Sequence, residues 1–263
     1  MTEQAVRTET DGRGVTRITL ARPGKRNAFN DSVMRDLRDA LIAAGDDPAC
    51  RVVVLQGDGK HFSAGADLNY MQQTAELSRD ANVDDALALA GLMQTLDQLP
   101  KPTIARVQGA AFGGALGLIC ACDIAIATDN ARFCLSEARL GLAPAAIGPY
   151  VVRAIGPRQA RRYFLTTEEI PANDAVQLGI VHEVVAAEDI DETINTLVER
   201  LLRNGPVALE ACKSLVARTQ MDGPDEALIR YTAELIAGLR TGDEGQEGLR
   251  AFLEKRQPAW IQE

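Results

Sequence analysis

Three short runs of apolar residues, each the length of one strand, occur along the first half of the chain with helical segments between them. The runs are RVVVLQG (51–57), PTIARVQG (102–109) and DIAIAT (123–128). Continuous apolar runs of this length are typical of strands that are buried on both faces. Because parallel strands need helical crossovers, the alternation predicts an α/β core with a parallel sheet.

A fourth strand and a helix are predicted upstream of these runs. VTRITLA (15–21) alternates as a strand does, with Thr16, Ile18 and Leu20 on one face. The loop RPGKRNAFN (22–30) follows it. Either Asn30 or Asp31 can cap the next helix. The apolar residues of that helix recur at helical spacing: Val33, Leu37, Leu41 and Ala44.

The chain changes character near residue 186, where strand patterns stop and amphipathic helices follow one another. Their segments are 189–204, 206–219, 225–240 and 244–256. Such helices must bury their apolar faces, either on their own core or on another subunit. We therefore predict a core over residues 1–200 and a helical C-terminal region over residues 201–263.

Composition excludes several classes of protein. A net charge of −9 argues against nucleic acid as a partner, since phosphate backbones require a positive surface. The apolar stretches are too short or too rich in glycine to span a membrane, and MTEQAVRTETDG does not resemble a leader, so we expect a cytoplasmic protein. The chain has five cysteines without a CxxC pair and two histidines, His61 and His182, so no metal site is indicated.

Two stretches share a pattern that suits anion binding. HFSAGADLNYM (61–71) and QGAAFGGALGL (108–118) each run from an expected strand end through glycine into a helix start. This arrangement presents free backbone N–H groups and the positive end of a helix dipole. Two such N–H groups beside one oxygen would form an oxyanion hole. Considered alone, Gly113, Gly114 and Gly117 are better explained by close packing of a helix on a sheet.

A third stretch, FCLSEARLGLAP (133–144), holds a single carboxylate, that of Glu137. Most isolated glutamates are solvated or paired in a salt bridge. In an apolar environment, however, a carboxyl group has a raised pKa and can act as a general acid or base. Glu137 is therefore a candidate catalytic residue.

Taken together, these segments resemble the enoyl-CoA hydratase/isomerase, or crotonase, superfamily. The similarity runs in order from about residue 12 to the C-terminus, through RPGKRNAF, HFSAGADL, PTIARVQGAAFGG, ACDIAIAT, ARFCLSEARLGLAP and EGLRAFLEKR. The resemblance implies a spiral of ββα units in which helices cover two roughly perpendicular sheets. It also implies that the C-terminal helices form a homotrimer, or a hexamer of two trimers.

The resemblance further implies a set of site residues for an acyl-CoA thioester. The N–H groups of Ala66 and Gly114 would form the oxyanion hole, and Glu137 would transfer protons. Lys25, Arg26 and Ala28 would line the coenzyme A site, while Ala64, Asp67 and Leu68 would lie beside the pantetheine and thioester. Phe252 and Lys255 would reach the adenosine end, often from a neighbouring subunit. The remaining implied substrate-binding residues are Gly65, Gly113, Gly117 and Pro144. No metal or redox cofactor is implied, since coenzyme A is part of the substrate.

One residue departs from the hydratase pattern. Hydratases of the family usually carry two glutamates, and the first would occupy the position of Gly117. A single glutamate is the pattern of Δ3,Δ2-enoyl-CoA isomerases. Hydration of a 2-enoyl-CoA is the leading prediction, isomerisation is the alternative, and a catalytically impaired acyl-CoA-binding protein is the third.

The stretch 133–166 favours hydration because it resembles a bacterial branch acting on methylglutaconyl-CoA and carboxygeranoyl-CoA. The resemblance implies that this branch also has glycine at the position of Gly117. We therefore hypothesise that space at Gly117 and a cation, Arg139 or Arg153, accommodate a branched acidic acyl group. The pathway this suggests is leucine degradation.

Overall fold

The computed structural model describes residues 4–219 and 225–261, and this part of the chain contains two sheets. The larger sheet has the order β1 (Val6–Thr10), β2 (Val15–Leu20), β3 (Val52–Gly57), β4 (Thr103–Val107), β6 (Ile124–Thr128) and β9 (Glu183–Val185). The smaller sheet has the order β5 (Ala110–Phe112), β7 (Arg132–Cys134) and β8 (Ile170–Pro171).

The predicted parallel sheet is confirmed. Strands β2, β3, β4, β6 and β9 are all parallel, and Leu55 pairs with Ala105, which in turn pairs with Ala125. Strand β1 is the exception, since it forms an antiparallel pair with β2 at the edge of the sheet. The resemblance implied a second sheet, but its individual strands were not predicted, because they have only two or three residues each.

Ten helices lie in the described part of the chain. They are α1 (Asp31–Asp46), α2 (Leu68–Ala75), α3 (Arg79–Asp97), α4 (Gly114–Ala121), α5 (Gly148–Thr166), α6 (Ala172–Leu178), α7 (Ile190–Leu202), α8 (Pro206–Thr219), α9 (Glu226–Thr241) and α10 (Asp243–Glu254). Two 3-10 turns are relevant below, Pro23–Lys25 and Glu137–Leu140. Asn30, rather than Asp31, caps α1, because its Oδ1 accepts from the Val33 N–H at 2.9 Å.

The central strands β3, β4 and β6 of the large sheet are buried on both faces, which explains their continuous apolar runs. On one face, residues such as Leu55 and Val107 belong to the main core together with apolar residues of α1, α3, α4 and α5. On the other face, alternate residues such as Val54 and Ile104 pack against Ile194 and its neighbours on α7. Burying each such side chain stabilises the fold by about 1.5–3 kcal/mol.

The last three helices leave much of their apolar surface uncovered within one chain. Helices α8 and α9 have no buried residue in the described segments, and α10 buries only Ala251. An ion pair between Lys213 and Asp123 (2.7 Å) joins α8 to the core. Among the described helices, none combines the length and apolar character needed to cross a membrane.

Candidate active site

The two glycine-containing loops predicted to form one site lie directly against each other. The Ser63 N–H donates to the Ala110 carbonyl at 3.1 Å, and the Phe112 N–H donates to the Ser63 carbonyl at 3.0 Å. Gly65 has a positive φ of 92°, and a Cβ atom on it would lie 3.1 Å from the Phe112 carbonyl oxygen. Glycine at position 65 therefore permits both the backbone conformation and the close approach of the two loops.

The Ala66 N–H is left free by the hydrogen bonds on either side of it. The Phe29 N–H donates to the Gly65 carbonyl at 2.8 Å, and the Asp67 N–H donates to the Phe29 carbonyl at 2.7 Å. These bonds skip Ala66, whose N–H has no hydrogen-bond partner among the described residues. Ala66 is also exposed, so this donor is available to a ligand oxygen.

The Gly114 N–H is the second free donor. Gly114 is the first residue of α4, and its N–H has no partner in the described part of the chain. Gly113 precedes it with a φ of 54°, which an L side chain adopts only with strain, and donates its own N–H to the Cys134 carbonyl at 2.9 Å. A Cβ atom on Gly114 would lie 3.5 Å from Cδ2 of Phe29, so that ring packs against the start of the helix.

Glu137 lies in the second 3-10 turn and contacts Gly113, the residue before the Gly114 donor. Its Oε1 is 3.4 Å from the position of a Cβ atom on Gly113, and its Oε2 is buried without a hydrogen-bond partner in the described structure. Burial raises the pKa of the Glu137 carboxyl above its ordinary value. An unpaired carboxylate with a raised pKa is suited to accept and return a proton.

The space beside Gly117 is filled, contrary to the hypothesis of a free acyl pocket at that position. A Cβ atom on Gly117 would lie 2.7 Å from Cβ of Ile147 and 3.0 Å from Sδ of Met93. Gly117 is buried under these two side chains. The hypothesis that Gly117 leaves room for a branched acyl group is therefore wrong, because local sequence does not reveal which distant side chains occupy that space.

The two candidate cations for an acidic acyl group are both engaged within the chain. Arg153 forms an ion pair with Asp97 and lies 5.4 Å from the centre of the Tyr150 ring. Arg139 donates from Nε and Nη2 to Thr167. Neither guanidinium is a free partner for a substrate carboxylate in this arrangement, so this part of the hypothesis is also wrong.

The predicted coenzyme A residues lie on and beside the first 3-10 turn. Lys25 and Arg26 are exposed, and the Arg26 carbonyl accepts from the Ala64 N–H at 2.9 Å. Ala28 is buried, and its carbonyl accepts from Arg22 Nη1 at 3.0 Å. A cavity of about 240 Å³ lies next to this turn, lined by residues that include Arg22, Lys25, Asn30, Asp67, Asn69 and Tyr70.

Asp67 supports the loop rather than presenting a free carboxylate. Its Oδ1 accepts from the Asn69 N–H at 3.0 Å, which caps α2, and its Oδ2 pairs with Arg22 at 3.2 Å. Although burial acts to raise the pKa of Asp67, these hydrogen bonds lower it overall. Its neighbour Leu68 is exposed.

Two residues that sequence reasoning did not single out organise the site. Asn27 is buried with a φ of 54°, and its Nδ2 donates to the carbonyls of Asp58 and His61 at 2.9 and 2.8 Å. Phe29 contacts both loops that carry the free donors: its ring packs against Gly114, and its backbone forms hydrogen bonds on both sides of Ala66. Both lie within the motif RPGKRNAF, but their contacts are with residues distant in the chain, so the neighbouring sequence did not indicate their roles.

The histidines have structural roles. His61 Nδ1 accepts from the Ala110 N–H and His182 Nδ1 from the Ala125 N–H, both at 3.1 Å. Since both imidazoles hold backbone groups, neither forms the base of a Ser-His-Asp triad. Within residues 4–219 and 225–261, no cluster of three His, Cys, Asp or Glu side chains could hold a metal ion.

The remaining predicted residues lie apart from one another. Pro144 is buried in the segment that follows the Glu137 turn. Phe252, which is 80% exposed, and Lys255 lie at the end of α10. Helix α10 packs chiefly on α9, and no described hydrogen bond or ion pair joins these two residues to the Lys25 turn.

Two free backbone donors, with a buried carboxylate oxygen near the second, form a site suited to binding an oxyanion and transferring a proton. The chain belongs to the enoyl-CoA hydratase/isomerase family, whose sequence model matches residues 10–263. It is accordingly a hydratase or isomerase of the crotonase superfamily.

Individual relatives agree with this assignment over nearly their whole length. The crystal structure of an enoyl-CoA hydratase from Shewanella pealeana superposes with a TM-score of 0.95 and 44% identity, covering 98% of this chain and 97% of that one. The 2,3-dehydroadipyl-CoA hydratase of Escherichia coli is 35% identical, over 92% of each chain. The trans-2-decenoyl-[acyl-carrier-protein] isomerase of Streptococcus mutans is 31% identical, over 93% of this chain and 94% of its own.

Proposed function

We propose that this protein is a hydro-lyase that adds water across the double bond of a 2-enoyl-CoA thioester. The observation that carries the proposal concerns the Glu137 carboxylate: its Oε2 is buried without a partner, and its Oε1 lies 3.4 Å from the Cβ position of Gly113, next to the free Gly114 N–H. A family fold alone would not distinguish an active enzyme from an acyl-CoA-binding protein without catalysis. A buried carboxylate without a partner costs stability, and this favours a catalytic role over a purely binding one.

The proposed reaction uses the free N–H groups of Ala66 and Gly114 as the oxyanion hole. The thioester carbonyl accepts from both, and this polarises the conjugated double bond. Ionised Glu137 takes a proton from water as the water oxygen forms a bond to C3. The electron pair moves to the thioester oxygen, giving an enolate whose charge both donors stabilise. Loss of one such donor costs about 3 kcal/mol of barrier.

Glu137 completes the reaction by returning its proton to C2. This step collapses the enolate, regenerates the carboxylate and leaves a 3-hydroxyacyl-CoA. Both proton transfers fall to Glu137 because position 117, where a second glutamate would stand, is glycine. Transfer by one carboxylate places the hydrogen and the hydroxyl on the same face of the double bond, so the proposed addition is syn.

Isomerisation of a 3-enoyl-CoA is the second candidate function. It is favoured by the apolar filling of the space at Gly117 by Ile147 and Met93, which leaves one acid/base group. In this reaction Glu137 would remove a proton from C2 and return it to C4, moving the double bond to C2–C3 through a dienolate. The same two N–H groups would stabilise the dienolate oxygen.

More specifically, we propose that the acyl group of the substrate is branched or carboxylated, as in methylglutaconyl-CoA. Its support is the resemblance of residues 133–166 to the branch that acts on such thioesters, together with a relative named for dehydroadipyl-CoA, whose acyl chain is also acidic. The filled space at Gly117 does not contribute to this proposal.

The coenzyme A portion is proposed to lie along the exposed Lys25 and Arg26, whose cations suit its phosphates. Phe252 and Lys255 are proposed to reach the adenosine end from a neighbouring subunit of a homotrimer or of a hexamer built from two trimers. The uncovered apolar faces of α8, α9 and α10 support such an assembly through residues 201–263.

A panel of thioesters tests the proposal and separates its two reactions. With crotonyl-CoA or methylglutaconyl-CoA, hydration lowers the absorbance of the conjugated enoyl group. With a 3-enoyl-CoA, isomerisation raises it. We expect the 2-enoyl substrates to be consumed with the higher kcat/KM. A higher kcat/KM for the 3-enoyl substrates would assign the isomerase, and no turnover of any member would contradict both enzymatic functions.

A further inference from the structure

The residue that ends α5 has a strained backbone. Thr167 has left-handed angles, with φ 53° and ψ 22°, although its side chain is β-branched, and it is only 5% exposed. Few residues other than glycine adopt this conformation, and β-branched residues do so least. Such strain persists where surrounding contacts hold it, and it is concentrated at functional sites.

Thr167 is held by Arg139, which lies in the same 3-10 turn as Glu137. Arg139 Nε donates to Thr167 Oγ1 at 2.8 Å, and Arg139 Nη2 donates to the Thr167 carbonyl at 2.6 Å. The Thr167 hydroxyl donates its own proton to the Thr166 carbonyl at 2.7 Å, which leaves its lone pair for Arg139. Two parallel bonds from one guanidinium fix both its distance and its orientation.

Thr167 also contacts the strand that supports the oxyanion donor. Cys134 Sγ donates to the Thr167 carbonyl at 3.3 Å. The Cys134 carbonyl accepts from the Gly113 N–H at 2.9 Å, and Gly113 directly precedes Gly114. The Thr167 carbonyl is therefore shared by two groups, one from the turn that carries Glu137 and one from the strand that holds Gly113.

We propose that Thr167 and Arg139 are positioning residues that set the place of the Glu137 carboxylate relative to the Gly114 N–H. This inference rests on the proposed function, in which Glu137 transfers protons while Gly114 binds the thioester oxygen. Neither residue touches the reacting atoms. Thr167 acts as the common anchor, and Arg139 transmits its position to the catalytic turn.

The choice of threonine supports this role over simple termination of a helix. Glycine at position 167 would end α5 without strain, as it does for many helices. Compared with glycine, threonine adds a hydroxyl that accepts from Arg139 Nε. The strained residue therefore provides a contact to the catalytic turn that the unstrained one cannot make.

Substitutions that separate the strain from the contact test the proposal. Thr167→Gly relieves the strain and removes the hydroxyl, so it should be at least as stable as wild type in urea. Its kcat on the enzyme's best enoyl-CoA substrate should nevertheless fall about 10- to 100-fold, the scale of a displacement of about 1 Å. Its KM should stay within about 2-fold, because the binding contacts remain.

Conservative variants and a matched control complete the experiment. Thr167→Ser keeps the hydroxyl and should retain most of the wild-type kcat. Arg139→Lys keeps the charge but loses the paired donors, so its kcat should fall as in Thr167→Gly. Arg162→Ala removes the exposed ion pair to Glu168 beside the same helix end and should change neither kcat nor KM.

Two results would overturn the positioning role: wild-type kcat in both Thr167→Gly and Arg139→Lys, or a fall in kcat that Thr167→Ser shares in full. Failure of the underlying function is distinguishable by Glu137→Gln. If Glu137→Gln retains turnover, the proposed proton transfer fails. If Glu137→Gln is inactive while Thr167→Gly and Arg139→Lys are normal, the positioning role alone fails.

Discussion

Glu137 lies directly against Gly113, the residue before the free N–H donor of α4. A Cβ atom on Gly113 would be 3.4 Å from Oε1 of Glu137, and the positive φ of Gly113 turns the chain into the helix. This contact places the proposed acid/base group next to the proposed oxyanion hole. Backbone conformation at this position is therefore expected to control catalysis.

Gly113→Ala should lower kcat by more than its loss of folding stability explains. Position 113 has φ 54° and ψ −123°, a conformation that costs an alanine about 1–3 kcal/mol of strain. The chain can relieve that strain by shifting the Gly114 N–H. Complete loss of one oxyanion donor reduces kcat about 10²- to 10³-fold, so we expect a loss of up to about that size. Steady-state assays of a 2-enoyl-CoA and urea denaturation measure the two effects.

Gly156→Ala is the matched control, since Gly156 has a φ of 74° with open space around it, within α5. It should lose comparable stability and keep wild-type kcat. Equal losses of kcat in both variants would show that backbone strain anywhere in the fold, rather than strain at Gly113, limits turnover.

Gly117→Ala should destabilise the protein by about 1–3 kcal/mol, the usual cost of overpacking a core. The new Cβ would overlap Ile147 and Met93. Gly117→Glu should lose still more, because it adds a buried carboxylate, and it should not raise hydratase activity. Gly148→Ala is a suitable control, since its Cβ would meet only Phe164 at 3.8 Å. A stable Gly117→Glu enzyme with raised kcat would refute this packing.

Sequence predicted the core of the fold well because its signals are local. The apolar runs of β3, β4 and β6 and the start of α1, predicted with its cap at either Asn30 or Asp31, depend on residues near one another in the chain. Ile147 fills the space beside Gly117, and Arg139 bonds to Thr167. The residues of each pair are about 30 positions apart in the chain, so the sequence holds no local pattern for either contact. Nor did sequence indicate a left-handed Thr167, because the residue type argues against that conformation.

Stability should depend on pH through Glu137. Burial raises the folded-state pKa of Glu137, so the native protein holds this proton more tightly than the unfolded chain does. The free energy of unfolding therefore decreases as pH rises from the ordinary glutamate range through the raised pKa. Glu137→Gln removes this loss and should be more stable than wild type at neutral pH, with the difference shrinking in acid.

Urea denaturation at several pH values measures this effect. Glu188→Gln, an exposed glutamate, provides the control and should follow the wild-type profile closely. A Glu137→Gln protein whose stability relative to wild type did not change with pH would show that the carboxyl is not perturbed by burial.

The C-terminal helices should assemble the chain into a trimer or a hexamer. Leu249, Phe252 and Leu253 are exposed on one face of α10 in the single chain. Leu249→Asp should lower the assembled mass measured by light scattering, because burying an unpaired charge opposes association. Ala187→Asp places the same charge at an exposed position outside the C-terminal helices and should leave the mass unchanged. A monomeric wild-type protein would exclude the assembly.

Turnover of a 2-enoyl-CoA by Glu137→Gln is the most direct measurement of the proposed chemistry. Glutamine preserves the shape of the side chain but cannot accept the proton of water, so kcat should fall about 10²- to 10⁴-fold. Binding of a saturated thioester, butyryl-CoA, should remain as in wild type. A variant that binds the thioester and hydrates the enoyl-CoA at the wild-type rate would contradict the role of Glu137.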